Sequence, residues 1–354
     1  MTTNTESDDA GGGRRGLRPQ PSAALFEVLR DAYGLDAASS DAQDLGGSAN
    51  LNLLVEGRWV ARVYRPWVRR DRLEAINVVR QRLARGSIPC AEQRLTRDGE
   101  TWTNLGNRLV EVERFVPCDA KMDDWGQVLA AMPLLGRIHT LLRPLNLGEA
   151  ADKPEFANHV GPDEALAWVA RACDRIRSWT PTTTEAELAD KSLDLAERLA
   201  VAELRAGSRT LPHQLVHGDF WDNNVLFSGG RVALVADLDF MGSRTRIDDL
   251  ALTLFFAGLS LAAEDAPADL LERLPTLVAA YEAGLGQHLT ERERAALPLA
   301  IVRQPLWAAG RWLTVLDSEA TARRLAGAVL PEVAWASAIL QDVRRWQDAL
   351  ARPV

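Results

Sequence analysis

Residues 216–227 read VHGDFWDNNVLF, and residues 228–240 continue as SGGRVALVADLDF. His217, Asp219, Asp222, Asn223 and Asn224 crowd directly ahead of an apolar run. The runs VLF and VALVA flank Ser228-Gly229-Gly230, the pattern of two strands joined by a tight turn. Folding about that turn brings Asn224 almost opposite Val235, and Asp237 lies about two residues beyond, roughly 7 Å at ~3.3 Å per residue. Asp219 sits in the loop that enters the same end. Three oxygen-bearing side chains, no two adjacent in sequence, are expected at one mouth of a hairpin.

Asn and Asp together suit a hard cation such as Mg2+, which takes few protein oxygens and completes its octahedron with phosphate and water. A further Asp kept off the metal can orient a substrate hydroxyl and accept its proton. These are the parts that phosphoryl transfer requires, positioning and charge neutralisation with little covalent work. Taken singly, each residue is as much at home in an Asx turn capping a strand or helix end. The whole set at this spacing favours chemistry.

The chain around this stretch has 354 residues, a formal net charge of -8 and 47% hydrophobic residues, enough for one large domain or two lobes. Its acidity argues against nucleic acid as a partner, because phosphate binding needs a basic face, and mildly favours a neutral or cationic substrate. Cys90, Cys118 and Cys173 stand far apart without a CxxC, which is neither a disulfide framework nor a zinc site and suits a reducing compartment. Residues 1–21 are polar and Gly-rich, without the apolar segment of a signal peptide, and are expected to form a disordered tail. The longest apolar run, Leu250 to Ala263, is too short to span a bilayer and reads as a buried helix. A cytoplasmic protein with no membrane partner is expected.

Helical spacing runs from Ser22 to Tyr33 and stops at Gly34. Two β-rich runs then flank Glu56-Gly57, and the segment RRDRLEAINVVRQRLARG follows as an amphipathic helix with Leu73, Ile76, Val79 and Leu83 on one face. GNRLVEVERFVP is a strand stopped by Pro117. After it helices dominate. Pro133 is expected to kink its helix or start a new one, and PEVAWASAILQDVRRWQDAL is expected as a single last helix. The simplest architecture is α+β: a small β-rich lobe over residues 22–117 and a large helical lobe over 118–354.

HGDFWDNN followed by VADLDFMGSRTRIDDLA resembles the aminoglycoside phosphotransferase and choline kinase-like superfamily, which shares the two-lobed protein-kinase-like fold. The family loop HGDxxxxN is matched by His217, Gly218, Asp219 and Asn224. The resemblance implies that Asp219 is the catalytic base, that Asn224 and Asp237 hold Mg2+, and that Asp249 braces the loop. It further implies that GGSANLNLLV, with Ser48, covers the nucleotide, that Arg62 pairs its phosphates, that Glu74 pairs with Arg62, and that Glu113 to Phe115 form the adenine-binding hinge. Arg62 stands where Lys is usual; it keeps the charge with a larger fork. Asp239 falls where a kinase D-F-G has its Gly and is either a second metal ligand or a solvated acid at a strand end. Gly218 replaces the Arg of the kinase H-R-D loop, so no phosphorylated activation loop is expected. His139 and His217 read as packed, hydrogen-bonded residues, and Trp168, Trp179, Trp307 and Trp312 as mostly core. Arg244 and Arg246 either approach the phosphates or pair with helix ends.

The function implied is ATP-dependent transfer of the γ-phosphate to the hydroxyl of a small molecule: an aminoglycoside or other antibiotic, homoserine, a sugar or a choline-like amine. The alternative is a catalytically silent nucleotide-binding module; a protein kinase is disfavoured for want of an H-R-D and of a full activation segment.

Overall fold

Ser22 opens the first helix, α1 (Ala23–Tyr33): its hydroxyl accepts from the Leu25 N–H, and Gly34 closes the helix in the left-handed conformation at φ 65°. The computed structural model describes residues 18–36, 41–47, 50–154, 158–262, 267–316 and 318–351. Most of the expected tail, residues 1–17, therefore lies outside the described residues, as does Ser48. α1 lays Leu25, Phe26, Leu29 and Tyr33 on an antiparallel sheet. Its strands are β1 (Gln43–Asp44), β2 (Leu51–Val55), β3 (Trp59–Val63), β4 (Gln93–Arg94), β5 (Trp102–Leu105) and β6 (Arg108–Arg114). They run β1-β2-β3-β6-β4 across the sheet, with β5 also on β6. Leu51, Leu53, Val55, Ala61, Val63, Val110 and Val112 meet α1 in a small core, each fully buried aliphatic side chain contributing about 1.5–3 kcal/mol.

Between β3 and β4 runs α2 (Arg70–Arg85), with Leu73, Ile76, Val79 and Leu83 buried as their spacing predicts. Ile76, Val79 and Leu83 pack into the core of the helical lobe, whereas α1 and the sheet have a core of their own. α2 is thus a β-lobe element in chain order and a helical-lobe element by packing.

The helical lobe begins with β7 (Ala120–Lys121), α3 (Trp125–Leu142), α4 (Glu149–Asp152), α5 (Ala165–Ser178) and α6 (Thr183–Ala206). Then come β8 (His213–Val216), β9 (Val225–Ser228), β10 (Arg231–Val235), β11 (Gly242–Thr245) and α7 (Arg246–Leu261). α8 (Ala268–Leu285), α9 (Glu291–Leu306), a π-helical turn at Trp307–Trp312, α10 (Leu313–Val315), α11 (Glu319–Gln341) and α12 (Val343–Leu350) complete it. β8 pairs with β11, and β9 pairs with both β7 and β10. No helix among the described residues is long and apolar enough to cross a membrane; the apolar run beginning at Leu250 is the buried body of α7.

Three expectations change. Pro133 neither ends nor splits α3, which continues to Leu142. α8 lies too close for that: a Cβ on Gly284 would come within 1.9 Å of the Pro133 carbonyl oxygen, and one on Gly136 within 2.2 Å of that of Tyr281. Backbone-to-backbone packing compensates the hydrogen bond that proline removes. Near the carboxyl end Pro331 lies inside α11, and the run expected as a single helix breaks at Asp342. Asp competes locally for helical hydrogen bonds, and the break lets Trp346 and Leu350 of α12 reach the core.

The third change concerns the hairpin. Gly229 and Gly230 take φ 57° and 74°, as a two-residue primed turn demands. Ser228 then pairs with Arg231 and Phe227 with Val232, but Leu226 pairs with Leu234. Ala233 is the extra residue of a bulge. Val235 therefore stands opposite Val225, and Asn224 meets Ala236 instead of Val235, its carbonyl accepting from the Ala236 N–H at 2.8 Å. The bulge advances Asp237 by one residue toward Asn224.

Candidate active site

β8 ends at Val216, and the loop leaves it through a backbone path that only glycine allows. Gly218 has φ 84°, and a Cβ there would stand 2.1 Å from the Phe240 carbonyl oxygen. The N–H groups of His217 and Gly218 donate to the two carboxylate oxygens of Asp249, at 3.1 and 2.9 Å. Asp249 lies in the first turn of α7 and is fully buried. Its Oδ2 also lies 3.0 Å from His139 Nε2, while His139 Nδ1 lies 2.8 Å from the Tyr281 hydroxyl. Burial opposes the Asp249 charge, but the His139 hydrogen bond and the nearby Arg244 hold its carboxyl below the usual range. The bracing role expected of Asp249 is visible bond by bond. His217 holds the loop from inside: Nδ1 accepts from the Asp219 N–H at 3.2 Å, and Nε2 meets the Ala236 carbonyl at 3.1 Å. Burial depresses the His217 pKa, and the neutral ring with its proton on Nε2 satisfies both contacts.

Asp219 emerges from this frame buried, with both carboxylate oxygens engaged by amides. Asn224 Nδ2 donates to Oδ2 at 2.6 Å and to the Asp219 carbonyl at 2.9 Å. Asn158 Nδ2 donates to Oδ1. Asn158 in turn accepts from Arg244 Nη1 at 3.4 Å, and Arg244 Nη2 donates to the Phe240 carbonyl at 2.9 Å. Burial pushes the Asp219 pKa well above the carboxylate range, and the charge of Asp237 pushes it further. Asn158 is not a residue that spacing singles out; it lies in a linker between α4 and α5, far from the HGD run, and only the fold brings it in.

Asp237 takes a left-handed backbone, φ 61°, uncommon for a residue with a side chain. Its Oδ1 accepts from the Asp239 N–H at 3.2 Å and lies 3.4 Å from Arg62 Nη1. Arg62 also stands 3.8 Å from Asp239, which accepts from Asn50 Nδ2 at 2.5 Å. Burial, then the charge of Asp237, raises Asp239 to about 6. Asp219, Asn224, Asp237, Asp239 and Arg62 thus gather at one seam between the sheet and the helical lobe.

Glu74 does not join them. It stands exposed on α2, because the inward face of that helix is taken by Leu73, Ile76 and Val79. Arg62 faces Asp237 and Asp239 instead, and the acid–base pair between α2 and the sheet is Arg80 with the buried Glu111, at 2.6 Å, and more distantly Glu113, at 3.9 Å. The Phe115 N–H donates to the Arg58 carbonyl at 2.8 Å just beyond β6. Arg246 is held by Glu293 at 2.6 and 2.8 Å and belongs to helix-end pairing. Trp179 is buried; Trp168, Trp307 and Trp312 are half-buried, the last two stacked at 5.3 Å. A cavity of about 590 Å³ opens against Asp239, lined by Arg65, Trp67, Arg72, Leu147 and Lys153 among others.

Comparison with known proteins places this geometry. The phosphotransferase enzyme family matches residues 42–299. A homoserine kinase of Caulobacter vibrioides is 26% identical over 240 residues, 65% of this chain and 69% of that protein. Among solved structures, a microcompartment-associated aminopropanol kinase superposes with a TM-score of 0.64 at 16% identity, covering 94% of this chain and 100% of its own. An amicoumacin kinase in complex with AMP-PNP, Ca2+ and Ami gives 0.62 at 15% identity, covering 88% and 93%. The two-lobed, protein-kinase-like α+β fold is common to them.

Proposed function

The chain belongs to the phosphotransferase enzyme family and is a small-molecule kinase with a hydroxyl acceptor, and from that premise we propose that it moves the γ-phosphate of ATP onto a small amino alcohol or hydroxy amino acid. Asp219 is assigned the acceptor hydroxyl: it orients the O–H for in-line attack and takes its proton. The hydroxyl replaces Asn158 on Oδ1, while Asn224 keeps Oδ2 in place. Arg62 is assigned the nucleotide phosphates, where its fork can bind bidentately, and the strand-to-helix passage at Glu113–Phe115 is assigned the adenine. Ser48 is assigned the cover of the nucleotide from family resemblance alone.

The donor set fits a hard divalent cation. Asn224 spends Nδ2 on Asp219, which directs its amide oxygen to a metal, and Asp237 supplies a carboxylate. The repulsion that Asp237 exerts on both Asp219 and Asp239 is the kind that a cation relieves. Mg2+ held by Asn224 and Asp237 supplies charge neutralisation for the transferring phosphoryl group. Asp239 is open to a second ion once its bond to Asn50 is exchanged.

The observation that carries this reading is the convergence of Asp219, Asn224 and Asp237 at the bulged hairpin. The acceptor class rests on the homoserine kinase relative and the aminopropanol kinase neighbour, whose named substrates join a hydroxyl and an amine on a short carbon skeleton. ADP release with Mg2+-ATP over a panel of hydroxyl acceptors, with Asp219→Asn as control, tests it. Undiminished turnover in that variant removes Asp219 from the base role, and tight ATP binding without turnover on any acceptor leaves a silent nucleotide-binding module in its place.

A further inference from the structure

Arg72 stands in the first turn of α2 at 8% exposure. Among the described residues its guanidinium forms no ion pair with a carboxylate. It donates to four main-chain carbonyls: Nη1 to Ala150 at 3.0 Å and Ala151 at 2.8 Å, Nη2 to Asp239 at 2.9 Å and Met241 at 2.7 Å. The first two carbonyls belong to α4, and the other two lie in the turn that follows Asp237. Burying a cation without a counter-charge is costly, and these charge-assisted hydrogen bonds offset the lost water. Burial lowers the Arg72 pKa to about 10, with Asp239 pulling the other way, so the group remains charged at neutral pH.

The turn it grips needs holding. A left-handed backbone at a residue other than glycine is strained and persists only where its surroundings impose it. Here the surroundings include the Asp239 N–H on Asp237, the Met241 N–H on the Leu238 carbonyl at 3.0 Å, and Arg72 on the carbonyls of Asp239 and Met241. The other anchor of Arg72 is α2 itself, fixed to the helical-lobe core by Ile76, Val79 and Leu83. A rigid helix therefore reaches the turn through one planar group.

We propose that Arg72 is the positioning residue of the metal-binding turn: it couples α2 to residues 237–241 and keeps Asp237 in its left-handed, ligand-presenting conformation. Family resemblance ties α2 to the site through a Glu74–Arg62 ion pair; Arg72 ties it to a different part of the site, the turn after Asp237, through backbone carbonyls. The proposal rests on the reading of Asp237 as a metal ligand. Arg72→Met keeps bulk and removes all four hydrogen bonds. Arg72→Lys keeps charge but concentrates its donors at one point, which cannot span both pairs of carbonyls.

Calorimetric titration of ATP with and without Mg2+, alongside kcat, KM and Tm, tests it on the full chain. The expected result for Arg72→Met is metal-free ATP affinity within about twofold of wild type, with about tenfold of the Mg2+-dependent gain lost and kcat falling more than KM changes. Arg72→Lys recovers only part of the gain; if the Met protein does not fold, the Lys protein alone decides by the same readout. A lowered Tm with the Mg2+ gain intact makes Arg72 merely structural and overturns the proposal. If Asp237→Asn abolishes the gain while Arg72→Met keeps it, Arg72 fails alone. If wild type shows no gain and Asp237→Asn changes nothing, the metal assignment falls and takes this proposal with it.

Discussion

The HGDxxxxN loop and α2 are held in place by opposite means. The loop is braced locally. Asp249 captures the N–H groups of His217 and Gly218, 32 and 31 residues earlier in the same motif-bearing segment, and His217 ties Asp219 to Ala236 across the hairpin. α2 is braced from afar: Arg72 reaches the carbonyls of Ala150, Ala151, Asp239 and Met241, between 78 and 169 residues along the chain. The contrast teaches that spacing reveals a brace whose bonds fall within one motif-bearing segment and hides one whose bonds join distant segments.

Four experiments press on that contrast. The largest effect belongs to Asp219→Asn, expected to lower turnover about a thousandfold, the scale of a lost general base, while ATP affinity holds. Steady-state kinetics with nucleotide titration checks it. Next is Asp249→Ala, which strands two buried N–H groups and the His139 contact. A loss of about 4 kcal/mol in urea unfolding is expected, and a loss below that of an ordinary surface change would show that the local brace is dispensable. Arg80→Met leaves the buried Glu111 uncompensated and is expected to cost about 3 kcal/mol by the same measurement. Glu74→Ala, on the exposed face of the same helix, is expected to stay within about 0.5 kcal/mol and to leave kcat unchanged. A marked loss of kcat in the Glu74 variant would restore Glu74 to the role the resemblance implies and break the comparison.

A smaller effect separates the two regions by pH. His217 is neutral and buried, with its pKa depressed from the ordinary 6.5. The unfolded chain therefore binds a proton that the folded loop refuses. Its contribution is whole above pH 6.5 and declines as pH falls toward the folded pKa. Asp239, raised to about 6, acts in the opposite sense, its contribution being lost as pH rises through 6. Comparing wild type with His217→Asn at each pH cancels the Asp239 effect. The gap between their urea midpoints is expected to narrow from pH 7 to pH 5, and a constant gap would mean that His217 gains or loses no proton differently on folding.

Much of the site was legible because its parts lie on one short hairpin. Gly229-Gly230 announces the turn, HGDxxxxN the loop, and Asp249 the brace, all within residues 216–249. The one-residue register error came from Ala233: a bulge leaves no compositional trace, and it shows only in the pairing of β9 with β10. Asn158 was invisible for another reason, since a lone Asn in a linker has no period or motif to mark it. Of the two outcomes expected at Pro133, a new helix is excluded, since α3 runs through it where Gly136 and Gly284 let α8 approach closely.

The sequence determined the two-lobed α+β class and, through the resemblance carried by HGDxxxxN, the small-molecule kinase family, and it marked residues of the candidate site, because alternation, turn glycines and motif spacing act over a few residues. Tertiary structure decided who holds those residues in place: Arg72 on carbonyls, Arg80 on Glu111, Asn158 on Asp219. Such contacts join segments through space, and a guanidinium or an amide meets its partner wherever packing delivers a matching group, whatever number the chain has given it.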